Sequence, residues 1–306
     1  MSISVSSLTK AYGPQKAIDN ISFHASNNEI VGFLGPNGAG KSTTMKIITG
    51  YLQADSGAVK VNDIDVRTEP LETKKHIGYL PEGNPLYHDM YVREYLSFVA
   101  SLHQIKKPTQ RIEEVISLTG LGTESNKKTG QLSKGYKQRV GLAASLIHDP
   151  DVLILDEPTS GLDPNQIVEI RNVIRDLGKN KTVLFSSHIL QEVESICDRI
   201  IIINKGHIVA NDSLSNLQSS NKNYNIVVVQ FSEKINPELL GNMSGVQNIE
   251  QQPGNNFKIY TADAESIKKQ ILQLSLSNNL NIVSLQSETK SLEDVFRNLT
   301  GNIQNN

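Results

Sequence analysis

A glycine-rich stretch near the N-terminus has the residue types and the spacing of a phosphate-binding loop. Residues 35–42 fit the pattern G-x-x-x-x-G-K-S between the apolar run Ile30–Leu34 and the helical pattern Ser42–Ile48, a context that disfavours a chance match. Glycines let backbone N–H groups turn inward around phosphate oxygens, at a helix N-terminus that already favours anions. Lys41 is placed to reach the β- and γ-phosphates, and the Ser42 hydroxyl to bind Mg²⁺. The loop therefore predicts a nucleoside triphosphate site formed by Gly35, Pro36, Asn37, Gly38, Ala39, Gly40, Lys41, Ser42 and Thr43.

Two adjacent carboxylates follow a second apolar run, Val152–Leu155. The chain leaves the sheet at the end of a strand, so both Asp156 and Glu157 can approach the same crevice. Asp156 is expected to hold Mg²⁺ through water, and Glu157 to align the attacking water with the γ-phosphate. A solvated acidic turn is the alternative, and the phosphate-binding loop makes it the weaker one. The pair predicts hydrolysis of the nucleotide rather than binding alone.

The elements that must position these residues alternate between strands and helices. Four near-continuous apolar runs are typical of parallel strands that are covered on both faces: Ile30–Leu34, Val152–Leu155, Thr182–Phe185 and Ile200–Ile203. Helical spacing at Ile167–Leu177 separates two of them, which predicts an α/β fold with a helix-flanked sheet. Leu214–Asn225 is a polar stretch, and the run Ser219–Asn223 within it is expected to be a linker. Beyond it, a small tail is expected to contain strands at Ile226–Phe231, Val246–Ile249, Phe257–Tyr260 and Ile282–Leu285 and a helix at Ala264–Leu276.

Length and composition narrow the class of protein. The 306 residues suggest two domains, and 30 basic against 32 acidic residues leave no positive excess for a nucleic-acid partner. The longest apolar runs are far shorter than the roughly 18 residues of a membrane helix, and no signal peptide is visible. A single cysteine, Cys197, excludes an internal disulfide and is expected to be a small buried hydrophobe. The expectation is a soluble, cytoplasmic α/β protein.

Further motifs in a fixed order resemble the ATP-binding subunit of an ABC transporter. Tyr12 lies where that family stacks an aromatic ring on adenine, and Leu132–Arg139 resembles the family signature. Ser160–Asp163 resembles the loop that crosses to a second subunit, and Ser187-His188 the switch histidine. The resemblance implies a P-loop ABC ATPase domain at residues 1–220, with a mixed sheet core and a helical subdomain at about 84–150. A small α+β accessory domain is then expected at residues 221–306.

The resemblance also implies how the site works. Two subunits, identical or related, form a head-to-tail dimer that holds ATP and Mg²⁺ between one phosphate-binding loop and the partner's signature. Ser133, Gly135 and Asp163 then act on the partner's nucleotide, and His188 supports the γ-phosphate and the water. The expected partners are integral membrane permease subunits, which place the ATPase on the inner face of the cell membrane. A capped surface helix is the alternative for Leu132–Arg139 if the chain is monomeric.

Two departures from the common family pattern fall in functional motifs. The signature has Lys134 and Tyr136 where glycine and glutamine are commonest, which adds bulk and charge to the expected ATP sandwich. Glu82 stands where the family usually has a glutamine that senses Mg²⁺ and the membrane subunit. A carboxylate binds Mg²⁺ through oxygen but adds a negative charge beside the phosphates. Glu82 is therefore the expected coupling residue and a metal ligand.

By resemblance, the region that begins near Gly83 receives the coupling helix of a membrane subunit. Tyr87, Met90 and Tyr91 are expected to form an adaptable apolar docking patch. Packing beneath the helical subdomain is an equally good alternative for these three side chains.

Within the family, three phrases most resemble the ATP-binding subunit of the gliding-motility-associated transporter: Tyr79–Glu82, Asn84–Asp89 and Leu132–Gly141. The phrase Ser291–Phe296 is similar to the ends of drug- and polymer-export ATPases, which favours export.

An ABC-type ATPase that acts on the ribosome or on DNA is a rival. It is disfavoured because the chain has one phosphate-binding loop and only about 90 residues before the signature, too few for a long heptad insertion. An ATP-binding regulatory protein is a second rival, and the Asp156–Glu157 pair argues against it.

Overall fold

The computed structural model describes residues 1–219, 225–288, 296 and 299. The chain divides into two compact units, Met1–Leu214 and Ser215–Asn306. Of the phrase Ser291–Phe296, all but Phe296 lies outside the described residues.

The helices and strands of the described residues follow one another in a mixed order along the chain. The strands are β1 (Ile3–Tyr12), β2 (Gln15–Ala25), β3 (Ile30–Leu34), β4 (Ser56–Val61), β5 (Ile64–Asp65), β6 (Ile77–Leu80), β7 (Val152–Asp156), β8 (Thr182–Ser187), β9 (Arg199–Asn204), β10 (His207–Ser213), β11 (Asn225–Phe231), β12 (Val246–Gln252), β13 (Asn256–Thr261) and β14 (Ile282–Glu288). The helices are α1 (Lys41–Ile48), α2 (Pro70–His76), α3 (Val92–Leu102), α4 (Pro108–Leu118), α5 (Lys134–Leu146), α6 (Pro164–Gly178), α7 (Leu190–Ile196), α8 (Leu214–Ser219), α9 (Glu238–Gly241) and α10 (Ala264–Ser277). No helix among the described residues is both long enough and apolar enough to cross a bilayer.

A six-stranded sheet in the order β10-β9-β3-β8-β7-β6 forms the centre of the first unit. Five of its strands run parallel, and β10 pairs antiparallel with β9. Every residue of β3, β7 and β8 is buried, as expected of near-continuous apolar strands that are covered on both faces. Because parallel strands end at one edge of a sheet, the segments that follow β3, β7 and β8 meet there. This architecture confirms the predicted α/β fold class.

A second, antiparallel sheet in the order β2-β1-β4-β5 also belongs to the first unit. The sequence analysis did not predict these strands, because their apolar residues alternate with exposed ones rather than forming continuous runs. One apolar cluster joins this sheet to the central one and contains Ile18 of β2, Phe33 of β3, Met45 of α1 and Ile154 of β7. The antiparallel sheet therefore packs against the elements that carry the phosphate-binding loop.

Helices α3, α4 and α5 lie between β6 and β7 in the chain and pack on one another. Arg111 of α4 donates hydrogen bonds to the carbonyl oxygens of Leu146 (2.6 Å) and Ile147 (3.1 Å), which satisfies the C-terminal end of α5. Arg139 of α5 donates to the carbonyl oxygen of Thr119 at 2.9 Å. These bonds fix α5, and with it Ser133 at its N-terminus.

The second unit contains an antiparallel sheet in the order β12-β13-β11-β14, with α10 packed on it. Its core is apolar and includes Phe231, Phe257, Ile267 and Ile271. The polar stretch Leu214–Asn225 begins with a helix, α8, which ends at Ser219, the first residue of the expected linker. Helix α8 was not predicted from the sequence, because most of its side chains are polar and it is only about one and a half turns long. Residues 220–224 lie outside the described residues.

Candidate active site

The phosphate-binding loop connects β3 to α1 and depends on glycine at two backbone positions. Gly38 has φ 78° and Gly40 has φ 112°, values that side-chain-bearing residues rarely adopt. A Cβ atom on Gly40 would lie 2.5 Å from the carbonyl oxygen of Ala17. Gly40 is also the N-cap of α1 and has no side chain with which to cap it, which leaves first-turn N–H groups for an anion.

Lys41 points back over the loop. Its ammonium donates to the carbonyl oxygens of Gly35 at 2.8 Å and Pro36 at 3.4 Å, and it forms an ion pair with Glu157 Oε1 at 3.4 Å. The Lys41 side chain is only 6% exposed, so this charge is held inside the site. A cation fixed here by a loop and a carboxylate is well placed to neutralise phosphate charge.

Asp156 ends β7 and is almost fully buried. Its Oδ1 accepts hydrogen bonds from Ser42 Oγ at 3.2 Å and Ser186 Oγ at 2.7 Å. These hydroxyl and carboxylate oxygens are the hard ligands that Mg²⁺ prefers, and Mg²⁺ usually completes its shell with water and substrate phosphates. Glu157 Oε1 is buried nearby without a hydrogen bond. The donor set therefore fits a magnesium ion, although the described residues contain no cluster of three or more metal-binding side chains.

Glu157 is held between a cation and an imidazole. Its Oε1 faces Lys41, and its Oε2 lies 2.8 Å from His188 Nδ1, which donates when that nitrogen carries the proton. Glu157 has φ 51°, a strained value for a residue with a side chain. Its backbone N–H donates to Ser186 Oγ at 2.9 Å, which helps to hold that conformation. The turn after β7 thus sends both acidic side chains to the phosphate-binding loop, while His188 at the end of β8 covers Glu157.

Ser133, Gly135 and Asp163 lie on other elements and make no hydrogen bond or ion pair with residues 35–43 in the part of the chain that the structure describes. Ser133 is the N-cap of α5 and accepts a hydrogen bond from the backbone N–H of Tyr136 at 3.4 Å. Asp163 is the N-cap of α6 and accepts from the backbone N–H of Gln166 at 3.0 Å. A Cβ atom on Gly135 would collide with the Gln166 side chain. The signature therefore packs against the start of α6 within the chain.

The two unusual signature residues have defined surroundings. The Lys134 ammonium occupies the space that a Cβ atom on Gly161 would need, so the lysine lies against the loop before α6. The Arg139 guanidinium lies 5.7 Å from the ring centroid of Tyr136. The added charge and bulk are thus accommodated on the surface of the chain itself.

Tyr12 and Glu82 are both exposed. Tyr12 ends β1 and is 53% exposed, with Lys10 Nζ 5.9 Å from the ring centroid. Glu82 lies in the turn after β6 and makes no hydrogen bond or ion pair within the described part of the chain. The structure brings Lys41, Ser42, Asp156, Glu157 and His188 together, whereas Tyr12 and Glu82 form no hydrogen bond or ion pair with those side chains among the described residues.

The sequence analysis missed the residues that hold the acidic turn in place. Ser186 bridges Asp156 and the backbone of Glu157. Glu192, on α7, accepts hydrogen bonds from Thr159 and Ser187. The polar pair Ser186-Ser187 at the end of an otherwise apolar strand was the one visible signal, whereas nothing in the sequence distinguishes Glu192 from a surface acid.

The fold and this cluster define a P-loop ATPase of the ABC type, and comparison with known proteins agrees. Residues 18–160 match the ABC transporter family, and residues 213–300 match the family "ATP-binding protein DrrA1-3-like, C-terminal domain". The bacitracin transport ATP-binding protein BcrA of Bacillus licheniformis is 33% identical over 98% of this chain and 97% of its own. The linearmycin resistance ATP-binding protein LnrL of Bacillus subtilis is 33% identical over 96% of each chain.

A solved structure of an ATP-binding subunit of an ABC transporter superposes with a TM-score of 0.66 and 28% identity over 72% of this chain and 93% of that chain. The chain belongs to the family of ABC transporter ATP-binding proteins. It is an ABC-type ATPase that binds ATP.

Proposed function

We propose that this protein hydrolyses MgATP as one half of an ATP-dependent dimer and couples closure of that dimer to a separate membrane permease of the export type. The observation that carries the proposal is the position of Glu157. Its carboxylate is 7% exposed, between the Lys41 ammonium and the His188 imidazole, at the end of the strand that also presents Asp156.

The chemistry follows from what each side chain can do. The N–H groups of the loop and the Lys41 ammonium bind the triphosphate, and Ser42 with Asp156 would hold Mg²⁺, which neutralises phosphate charge when bound. Glu157 accepts a hydrogen bond from a water and aims it at the γ-phosphorus. The water oxygen forms the new bond to the γ-phosphorus as the bond between the γ-phosphorus and the bridging β-phosphate oxygen breaks. The proton that the water loses passes to the Glu157 carboxylate and from there to the released phosphate, which gives ADP and phosphate. His188 holds the Glu157 carboxylate in place when its Nδ1 carries the proton.

The dimer is supported by motif residues that form no hydrogen bond or ion pair with the phosphate-binding loop of their own chain, in the part that the structure describes. Ser133, Gly135 and Asp163 lie away from the chain's own phosphate-binding loop, and the N-terminus of α5 is a ready site for an anion. In the proposed dimer these groups act on the ATP of the partner subunit, and Tyr12 stacks on the adenine. The partner is a second copy or a related ATPase.

Docking of a permease is supported by exposed aromatic side chains on the α3 side of the first unit. Tyr87 is 58% and Tyr91 49% exposed, although Tyr87 also packs edge-on against Tyr95 and Phe98. Tyr87, Met90 and Tyr91 are proposed to receive the permease, and Glu82 to couple it to the nucleotide. That contact would keep the ATPase on the inner face of the membrane.

Export is supported by relatives that are named for bacitracin transport and linearmycin resistance. The cargo that this proposal favours is therefore an antibiotic-type compound. A transporter associated with gliding motility is a narrower hypothesis that rests on the phrases Tyr79–Glu82, Asn84–Asp89 and Leu132–Gly141. Loss of gliding after deletion of the gene, with unchanged resistance to antibiotics, would favour the narrower hypothesis.

The decisive variant is Glu157→Gln, which keeps the size of the side chain and removes its basicity. ATP turnover should fall by about 10²- to 10⁴-fold while ATP binding remains, and the ATP-bound dimer should accumulate. Turnover is measured by phosphate release and dimer formation by size-exclusion chromatography with MgATP. Turnover near that of the wild type would remove Glu157 from its role. Lys41→Ala in the Glu157→Gln chain is the matched control and should abolish the dimer.

The permease is tested with the same trapped chain. Tagged Glu157→Gln protein is incubated with MgATP and detergent-solubilised native membranes, and the proteins that co-purify are identified. A polytopic membrane protein that is retained with the trapped chain but lost with the Lys41→Ala, Glu157→Gln control supports the transporter. Soluble partners alone would contradict it and favour a non-transport ATPase.

A further inference from the structure

Glu192 is a buried carboxylate outside the cluster that contacts ATP. It lies in the first turn of α7, is 1% exposed, and forms no ion pair within the described part of the chain. Its Oε2 accepts hydrogen bonds from Thr159 Oγ1 at 2.7 Å and Ser187 Oγ at 2.8 Å, whereas its Oε1 has no hydrogen-bond partner. A buried carboxylate held only by hydroxyls is unfavourable for stability, so its presence calls for a specific role.

The two donors belong to the two segments that carry the reacting groups. Thr159 lies two residues after Glu157, in the turn that leads to Asp163, and its carbonyl oxygen accepts the N–H of Leu162 at 3.2 Å. Ser187 immediately precedes His188. Both side chains are buried, so neither bond competes with bulk water.

The strands themselves do not fix these segments relative to each other. The last pair in the ladder between β7 and β8 is Asp156 with Ser186. Beyond that pair the chain leaves the sheet after Asp156, whereas Ser187 still pairs with Leu34 of β3. Glu192 joins the two segments one to three residues past that pair, in addition to the hydrogen bond from the Glu157 N–H to Ser186 Oγ. Glu157 and His188 belong to the same two segments, and their Oε2 and Nδ1 atoms lie 2.8 Å apart.

We propose that Glu192 is a positioning residue for ATP hydrolysis: through Thr159 and Ser187 it sets the distance between the Glu157 carboxylate and the His188 imidazole. The inference rests on the proposed roles of Glu157 and His188. A displacement of about 1 Å between such groups is enough to reduce a rate by roughly 10²-fold. Neither of the two hydrogen bonds to Glu192 involves the phosphate-binding loop. Their loss is therefore expected to lower the rate of hydrolysis rather than the affinity for ATP.

The test separates bond geometry from simple stability. Glu192→Ala should lower kcat by about 10- to 100-fold, whereas Glu192→Gln, whose amide oxygen still accepts both hydroxyls, should stay within about threefold of the wild type. The Kd for MgATP, measured in the Glu157→Gln background, should change less than about twofold. Thr159→Val and Ser187→Ala each remove one donor with little change of volume and should each lower kcat by about 3- to 10-fold. These two variants keep the test valid if Glu192→Ala does not fold.

A double-mutant cycle of Glu192→Ala with His188→Ala, measured as kcat, distinguishes a positioning role from a general loss of stability. Once the imidazole is gone, Glu192→Ala should lower kcat by less than about a further twofold, because there is nothing left to align. The inference would be overturned if the double variant lost kcat by the product of the two single-variant reductions, or if Glu192→Ala left turnover unchanged. If His188→Ala itself leaves turnover intact, the proposed role of His188 fails instead, and the two failures are thus distinct.

Discussion

The two units of the chain use their interiors in opposite ways. In the first unit, five strongly charged side chains are buried: Lys41, Arg139, Asp156, Glu157 and Glu192. Among the described residues of the second unit, the buried polar side chains are Thr261 and Ser275, and the core is otherwise aliphatic and aromatic. Burial of charge costs free energy unless partners compensate for it, whereas an apolar sheet-and-helix core adds stability directly.

The difference shows where function is built. In the first unit four of these side chains, all but Arg139 of α5, lie at one edge of the central sheet. There Glu157 has a strained backbone, and Glu157 Oε1 and Glu192 Oε1 are buried without a hydrogen bond, as expected of a site that must receive ATP and water. The second unit has the packing of a domain selected for stability. Its role in the protein is therefore expected to depend on its surface, and the catalytic step to depend on the first unit alone.

The largest effect should follow from loss of the buried cation. Lys41→Ala should weaken ATP binding by about 10²-fold or more and bring turnover to background, because the phosphates lose their neutralising charge and Glu157 is left buried without its cation. Binding is measured by calorimetry. Lys46→Ala, five residues further along the same helix, is the control and should leave binding within about twofold. Unchanged affinity in Lys41→Ala would remove the loop from its assigned role.

Two glycine-to-alanine substitutions, one in each unit, compare how much backbone strain and close packing contribute to the free energy of unfolding. Gly40→Ala meets both a φ of 112° and the carbonyl oxygen of Ala17, so it should lower the free energy of unfolding by about 3 kcal/mol and weaken ATP binding. Gly254→Ala in the second unit has φ 80° but open space around the new atom and should lower it by only about 1 kcal/mol. Urea denaturation of both variants gives the comparison. Equal losses would mean that the close approach to Ala17 contributes nothing.

The sequence predicted β3, β7, β8 and β9 of the central sheet because these strands are continuous apolar runs, whereas it did not predict β6 and β10. The spacing of the phosphate-binding loop and of the acidic pair made Lys41, Asp156 and Glu157 candidates, and the fold brings these residues together. The antiparallel sheet escaped prediction because the alternating pattern of β2 is a weaker signal than a continuous run. The left-handed conformation of Glu157 and the cross-link through Glu192 were also out of reach. Both depend on which segments the fold brings together, and an isolated glutamate in a helix gives no indication of its partners.

A smaller effect should appear with pH. Burial, aided by the neighbouring His103, lowers the pKa of His148 to about 4 in the first unit. The unfolded chain takes up this proton near pH 6.5 and the folded chain only near pH 4, so the first unit should lose stability as the pH falls between these values.

His148→Gln removes the titrating ring while its amide can still donate to the carbonyl oxygen of Ile77, which His148 contacts at 3.0 Å. Between pH 7.5 and pH 5, the wild type should lose about 1 kcal/mol more than the variant, a figure that allows for partial exposure of the ring. Denaturant midpoints at the two pH values measure the difference. Identical losses would show that His148 does not titrate in this range.

The smallest effect on ATP turnover is expected from a substitution in the core of the second unit, although that substitution should strongly destabilise the unit. Ile271 is fully buried on α10, and Ile271→Ala should lower the free energy of unfolding of that unit by about 2–5 kcal/mol. Leu272 is 48% exposed on the same helix, and Leu272→Ala should change it by no more than about 0.5 kcal/mol. Both variants should hydrolyse ATP within about twofold of the wild-type rate at 25 °C, because no group of the proposed site lies in this unit. A large loss of turnover in Ile271→Ala alone would show that the second core supports the catalytic step, and the contrast between the units would then describe stability but not function.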